Sequence, residues 1–408
     1  MNQAGLSADL CLKCNICTAA CPVAAVTDRF PGPKAVGPQL QRFRSSRHIA
    51  LEGSVEWCSG CGTCSSVCPH GVAGAEINIQ AKARQRALDP PSLRDKMIAR
   101  PELLGRLARP MAPIANLLTQ SKPSRWLLER SLHISRHAPL PRFARRTLRQ
   151  RNPSRISSSP PRVADRKRPL LAYFHGCSAN YYEPELGETA IAVLDALGFE
   201  VVLPPQRCCG LPLQSNGLFE PARAYAQSNI RSLRPFAEAD LPIIGASTSC
   251  TLSLKHDYRA ILGLEGDEVD LVAESTFDIF EFLSFRHPSF HNETDFAPVS
   301  ARALYHAPCQ LRSHGIGAPA LEALRRIPAL HVVESSAACC GIAGTYGVKQ
   351  EKYDVARAVG APLFAQAAAE AVDFIITDSE TCRWWISEHT RLPAFHPIEI
   401  LARSMGLA

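Results

Sequence analysis

From residue 169 onward, short apolar runs alternate with longer stretches in which apolar side chains return every three or four positions. Leu170-Leu-Ala-Tyr-Phe174, Phe199-Glu-Val-Val-Leu203 and Leu241-Pro-Ile-Ile-Gly245 read as strands, with helices expected over Glu185 to Leu197 and Pro221 to Arg234. The order then repeats, with strands at Ala303-Leu-Tyr305, Leu330-His-Val-Val333 and Phe374-Ile-Ile-Thr377 and helices over Ala320 to Arg326 and Tyr353 to Ala369. Strands alternating with helices predict parallel sheets whose sites gather at the strands' carboxyl ends. The repetition predicts two such units, 169–297 and 298–408.

The pattern upstream is helical. Ile77 to about Arg86 reads as a helix that closes an N-terminal unit, 1–86. Residues 87–168 form a bridge in which Leu103, Leu107, Met111, Leu117, Leu118, Trp126, Leu127 and Leu128 recur at helical spacing, interrupted by Pro110, Pro113 and Pro123. Such helices either dock on a neighbouring domain, which the spacing slightly favours, or lie on a membrane surface. The bridge ends in Arg151-Asn-Pro-Ser-Arg-Ile-Ser-Ser-Ser-Pro-Pro161, a composition suited to a domain linker.

Charge sharpens this division. The net charge of +7 conceals 22 Lys/Arg against 5 Asp/Glu between Lys82 and Arg168, a local +17 that leaves −10 for the remainder. A segment of that kind suits an anionic lipid surface or an acidic protein partner, or is a solvated linker. No nucleic-acid partner is expected, because the rest of the chain contains no nucleic-acid module. No run reaches 18 consecutive apolar residues, and the N-terminus has no signal-peptide pattern. With clustered cysteines, this gives the expectation of a cytoplasmic protein, peripheral to the inner face of the cytoplasmic membrane.

The cysteines carry the chemistry. The chain reads Cys11-Leu-Lys-Cys14-Asn-Ile-Cys17-Thr-Ala-Ala-Cys21-Pro22 and, 36 positions on, Cys58-Ser-Gly-Cys61-Gly-Thr-Cys64-Ser-Ser-Val-Cys68-Pro69. This is twice the C-x2-C-x2-C-x3-C-P spacing of two-cluster ferredoxins, in which the fourth cysteine of each run crosses to the other cluster. Two [4Fe–4S] clusters are therefore expected, one on Cys11, Cys14, Cys17 and Cys68, the other on Cys58, Cys61, Cys64 and Cys21. Zinc sites use paired C-x2-C units and rarely two identical quartets. The wide gap favours a helical ferredoxin over a compact hairpin one.

The other eight cysteines follow the repeat. Cys177, Cys208, Cys209 and Cys250 match Cys309, Cys339, Cys340 and Cys382 at offsets of 132, 131, 131 and 132. Each half supplies a cysteine after its first strand, an adjacent pair after its second and one after its third, so one buried metal site per half is expected. The glycines after the pairs, Gly210 and Gly341, are expected to relieve the turn and offer N–H groups to sulfur. The alternative is a duplicated set of reduced core cysteines. His175 and His306 either bond a cluster sulfur or satisfy a turn; Trp384 and Trp385 either shield a cluster or pack.

These residues resemble a family. The tandem Cys-Cys-Gly units look like those of the heterodisulfide reductase B-type subunits, although Ser247 and Ser379 stand where that family has a further cysteine, leaving four thiols per half. Together with Pro31-Gly-Pro-Lys34, Phe174-His-Gly-Cys177 and Cys339-Cys-Gly-Ile-Ala-Gly-Thr-Tyr-Gly347, the whole chain is similar to the C subunits of anaerobic glycerol-3-phosphate dehydrogenases. The glycolate oxidase iron–sulfur subunits share the same order. The fold class implied is α+β multidomain: a helical two-[4Fe–4S] ferredoxin domain, a basic helical bridge, then duplicated α/β Cys-Cys-Gly domains. The resemblance implies further iron–sulfur clusters at the Cys-Cys-Gly sites, a flavoprotein dehydrogenase as electron donor and membrane quinone as acceptor. Catalysis of substrate oxidation is expected to lie on other chains; a thiol–disulfide oxidoreductase is the alternative.

Overall fold

The structure is a computed structural model that describes residues 3–44, 53–161, 168–287, 290 and 295–407. Parts of the polar connection between the two cysteine runs and of the bridge's Arg-rich end lie outside the described residues.

The N-terminal unit is built from short helical turns, with no strand among its described residues. Each cysteine run wraps through two left-handed residues: Lys13 (φ 61°) and Asn15 (φ 72°) in the first, Gly60 (φ 69°) and Gly62 (φ 81°) in the second. Glycine and asparagine tolerate this region best, which explains their placement between cysteines. Brief helices, Ile16–Ala19 and Thr63–Ser66, follow each wrap. The helix Gly74–Leu88 then runs out of the unit, its residues Gly74 to Lys82 buried.

The two repeated units have the same topology. Strands β1 (Leu170–Tyr173), β2 (Glu200–Val202), β3 (Ile243–Gly245) and β4 (Thr276–Asp278) form a parallel sheet in the order β2-β1-β3-β4. Strands β5 (Ala301–Tyr305), β6 (Leu330–Glu334), β7 (Phe374–Ile376) and β8 (Ala394–Phe395) form a second in the order β6-β5-β7-β8. β4 and β8 escaped the sequence pattern, because neither lies in an apolar run of strand length. One apolar core joins the halves: Leu171, Tyr173 and Leu194 of the first pack with Tyr305, Leu321 and Ile398 of the second. Separate layers under the helices Phe219–Glu238 and Gln350–Ala369 finish the outer faces.

The bridge reverses the favoured expectation for its leucines. Helices Pro101–Ala108, Ala112–Gln120 and Lys122–Leu132 leave Leu103, Leu107, Met111, Leu117, Leu118, Trp126 and Leu127 exposed. The docked face of the first of these helices is polar and small instead. Glu102 is buried against Arg207 and Cys208, and a side chain at Gly105 would meet Tyr181 Cβ at 2.6 Å. The end of the bridge is also docked over part of its length: Ile156 pairs with Leu203 beside β2, and Arg155 grips Asp195 at 2.5 Å. No helix among the described residues is long and apolar enough to cross a membrane.

Candidate metal centres

Cys11, Cys14, Cys17 and Cys68, with Cys64, line one open space of about 420 Å³. Burial first, then the charges of Cys11, Cys68 and Cys14, raise the Cys17 thiol. Cys21, Cys58, Cys61 and Cys64 form the second group, and all four are buried. Burial, followed by the neighbouring Cys61 and Cys58, pushes Cys21 up to about 12, and burial with the same neighbours holds Cys64 well above the usual thiol range. Mutual charge thus relates Cys17 to Cys11, Cys14 and Cys68, and Cys21 and Cys64 to Cys58 and Cys61.

In the repeated units the thiols form two matching chains of contacts. They run Cys177–Cys208–Cys209–Cys250 in the first half and Cys309–Cys339–Cys340–Cys382 in the second, with Cys340 Sγ 2.9 Å from Cys382 Sγ. These thiol contacts, reinforced by burial, hold Cys208, Cys250, Cys309 and Cys340 well above the usual range, while they hold Cys209 and Cys339 below it. So crowded a set cannot carry four thiolates by itself, because each added charge opposes the next in a buried site. A polycationic core removes that opposition, and soft thiolate donors suit iron–sulfur clusters. Among the described residues, no three His, Cys, Asp or Glu side chains converge tightly enough to cage a single ion. The donor set fits a cluster spread across several irons.

The glycines behave as the turn requires. Gly210 has φ 90° and Gly341 φ 101°, a side chain at Gly341 would strike the Ala356 carbonyl, and Gly341 N–H donates to Cys339 Sγ at 3.3 Å. Ser247 Oγ donates to Glu380 Oε2 at 3.2 Å, and Ser379 Oγ bonds Thr381 Oγ1 at 3.4 Å.

All eight of these cysteines, together with Cys61 of the second ferredoxin-type group, line a single cleft of about 900 Å³. The two cysteine sets, one per half, therefore open on shared space. The order of groups is continuous: Cys64 lines the space of the first group, the Cys339 charge acts on Cys61, and the Cys61 charge acts on Cys309.

The flanking groups resolve several alternatives. His175 Nδ1 bonds Gly176 O at 2.7 Å, and burial pulls its imidazole down to about 3; burial pulls His306 down to about 4, and neither of its ring nitrogens has a partner. Burial disfavours charge on both rings; His175 Nδ1 satisfies the turn at Gly176, and its Nε2, like both nitrogens of His306, is buried without a hydrogen-bond partner. Trp385 is fully buried against Tyr353 and His389, and Trp384 Nε1 donates to Glu183 Oε1 at 2.7 Å, so both tryptophans pack.

Sequence reasoning missed the polar supports. Glu102 Oε2 accepts from Cys208 N–H at 2.7 Å and Oε1 from Arg207 Nε at 2.7 Å. Lys82 Nζ donates to Cys58 O at 2.9 Å and Ser215 O at 3.3 Å. Lys352 donates to Glu56 O, and burial with the Lys82 and Lys349 charges holds it well below the usual lysine range. The helix that carries Lys82 buries Glu76, Asn78 and Gln80 as well, so its sequence marked no single position as a support.

Known proteins share this anatomy. The profile of the 4Fe-4S dicluster domain matches residues 7–72, and that of the cysteine-rich domain matches residues 171–255 and 303–387. The C subunit of the anaerobic glycerol-3-phosphate dehydrogenase of Escherichia coli K12 is 35% identical over 97% of this chain and 98% of its own. The B subunit of the CoM/CoB fumarate reductase of Methanothermobacter marburgensis is 25% identical over 96% of this chain and 70% of its own. The D subunit of the dihydromethanophenazine:CoB–CoM heterodisulfide reductase of Methanosarcina barkeri is 23% identical over 98% of this chain and 94% of its own.

Proposed function

This chain belongs to the family of anaerobic glycerol-3-phosphate dehydrogenase C subunits, iron–sulfur electron-transfer proteins, and on that premise we propose that it passes electrons from a flavoprotein dehydrogenase, oxidising sn-glycerol 3-phosphate, to membrane quinone. Cys11, Cys14, Cys17 and Cys68 hold one cubane cluster, and Cys58, Cys61, Cys64 and Cys21 a second. Cys177, Cys208, Cys209 and Cys250 hold a third centre; Cys309, Cys339, Cys340 and Cys382 hold a fourth. When bound, these clusters supply reversible one-electron storage. The residues supply the order, burial and charge.

The observation that carries this reading is the contiguity of the four cysteine groups, with Cys61 lining the cleft of the other eight. Electrons arrive best at the first group, where Cys14 is exposed among the exposed Leu10, Leu12 and Ile16. The hydroxyls of Ser247 and Ser379 are engaged by neighbouring polar side chains, which supports four thiols per repeated unit rather than five.

The outward stripe Leu103, Leu107, Met111, Ile114 and Leu118, at spacings of three and four, supports attachment to a membrane surface. Its docked side is polar, so the apolar side is left for lipid. Arg106 is exposed on the bridge helix Pro101–Ala108, and Lys122 and Arg130 on the bridge helix Lys122–Leu132; these charges favour an anionic leaflet. Peripheral attachment to the inner face follows from this reading.

Iron and acid-labile sulfide, measured with EPR on anaerobically purified chain, test the proposal. About sixteen irons per chain are expected, from four centres of four irons each. About eight, with only coupled cubane signals, would confine electron transfer to the N-terminal unit and overturn the role of the repeated units.

A further inference from the structure

Around the second ferredoxin-type group the interior is unusually cationic. Lys82, Lys349 and Lys352 are buried at 5%, 4% and 4% exposure, where the helix Gly74–Leu88, the bridge and the helix Gln350–Ala369 meet. Lys349 is neutralised by Asp95 at 3.1 Å, and nearby Arg86 by Glu56 at 2.7 Å. Lys82 has no carboxylate partner among the described residues. Its ammonium is spent on two backbone carbonyls, one of them that of Cys58 itself at 2.9 Å. Lys352 adds a second buried amine, 4.9 Å over the ring of Tyr346, whose surroundings include Cys58 and Cys21.

Among the described residues, no buried lysine stands beside the first group: Lys34, which lines its open space, is half-buried, Lys13 is exposed, and Cys14 faces solvent. Charges in water are screened by salt and high dielectric, whereas a buried, unpaired ammonium keeps its field. Glu76, close to Cys64, opposes the lysines; its carboxylate accepts from Ser65 Oγ at 2.5 Å and lies 3.8 Å from His256 Nε2, and its charge is the same in parent and Lys82 variants.

We propose that Lys82 is a potential-setting residue, whose buried charge beside the Cys58 carbonyl makes the centre held by Cys21, Cys58, Cys61 and Cys64 more readily reduced than the centre held by Cys11, Cys14, Cys17 and Cys68. An added electron makes a cluster more negative, so a fixed positive charge nearby stabilises the reduced form, and net charge around a cluster is a recognised determinant of its potential. The step is a one-electron exchange: the first centre is oxidised by one electron as the second is reduced by one, with no bond formed and no proton moved. The electron itself comes from the reduced flavin of the partner dehydrogenase. Lys82 thereby biases charge inward, toward Cys309 and Cys339, and discourages return to the exposed end.

The inference rests on iron–sulfur occupancy of these two groups, and the test separates the two. EPR-monitored redox titration of the full iron-loaded chain is compared for the parent, Lys82→Met, Lys82→Arg and Lys34→Met, with iron counted in each sample. At full iron content, Lys82→Met is expected to lower one midpoint, changing the reduced-to-oxidised ratio at the parent's midpoint about tenfold, or about 59 mV for one electron. Lys82→Arg restores the parent value and Lys34→Met leaves it in place. Unchanged midpoints in Lys82→Met at full iron overturn the inference. Should that variant lose iron, the parent decides the matter in a salt series. A gap between the two ferredoxin-type midpoints that persists at high salt supports a buried charge; a single midpoint, or a gap that collapses with salt, overturns it. A parent chain without iron in the N-terminal unit would instead sink the cluster assignment.

Discussion

At the scale of single residues, the chain stores charge where burial makes it costly. Asp278 and Asp378 stand at the carboxyl ends of strands from opposite halves, both fully buried. Tyr305 OH donates to Asp378 Oδ2 at 2.7 Å, while Asp378 Oδ1 and Asp278 Oδ2 have no partner. Burial pushes Asp378 up to about 7, and burial with the Asp378 charge raises Asp278 well above the carboxylate range. An unfolded aspartate titrates near about 3.9, so the folded state binds the extra proton between that value and 7. The stability this contributes is complete at low pH and is lost as pH rises through 7. Asp378→Asn keeps an acceptor for Tyr305 and cannot ionise. Between pH 5 and pH 8 its stability is expected to gain on the parent by on the order of 2 kcal/mol, read by denaturant unfolding at each pH. At the same scale, Glu102→Ala strips Cys208 N–H of its partner and is expected to cost about 2 kcal/mol in the same assay.

At the scale of elements, the bridge helices show how a pattern can be legible while its partner is not. The helical spacing of Leu103, Leu107 and Met111, and then of Leu117 and Leu118, marks amphipathic helices from sequence alone. Whether the apolar face looks inward or outward depends on what the opposite face offers, and Glu102 with Gly105 wins the protein side through ion pairing and close backbone approach. Replacing Leu107 and Leu118 by Glu is expected to leave folding intact, since both are exposed. It should reduce co-flotation with phosphatidylglycerol vesicles at least tenfold, given about 1.5–3 kcal/mol per leucine buried in lipid. Flotation equal to the parent's would remove the stripe from the attachment surface. The strands tell a related story: β1, β3, β5 and β7 are apolar runs visible in the sequence, whereas β4 and β8 exist because a neighbouring strand offers an edge.

At the scale of the whole molecule, the repeated units behave as one body. They share the core around Tyr173 and Tyr305, and Glu183 of the first half clamps the second through Arg383 Nη2 at 2.5 Å and Trp384 Nε1 at 2.7 Å. Arg383 is buried, and among the described residues removing Glu183 leaves its charge only the longer contact to Glu399 at 3.6 Å. Glu183→Ala is expected to cost about 1–3 kcal/mol and to raise hydrogen exchange in the helices Pro184–Ala196 and Glu380–Thr390 ahead of the outer layers. Protection unchanged in both helices would show that the shared apolar core alone joins the halves.

What the sequence determined by itself was chemistry of short range and exact period: the cysteine spacings, the 131- to 132-residue repeat, the glycines that a Cys-Cys turn needs, and the helix and strand order. These are legible because each depends on residues close in sequence or on a copy of itself. The tertiary structure decided everything that depends on which surfaces meet. It turned the bridge's leucines outward, opened both repeated sites on one cleft beside Cys61, and set Lys82 against Cys58 and Glu102 against Cys208. Those contacts join residues 24 to 106 positions apart, and their energies come from desolvation and pairing that no local pattern records.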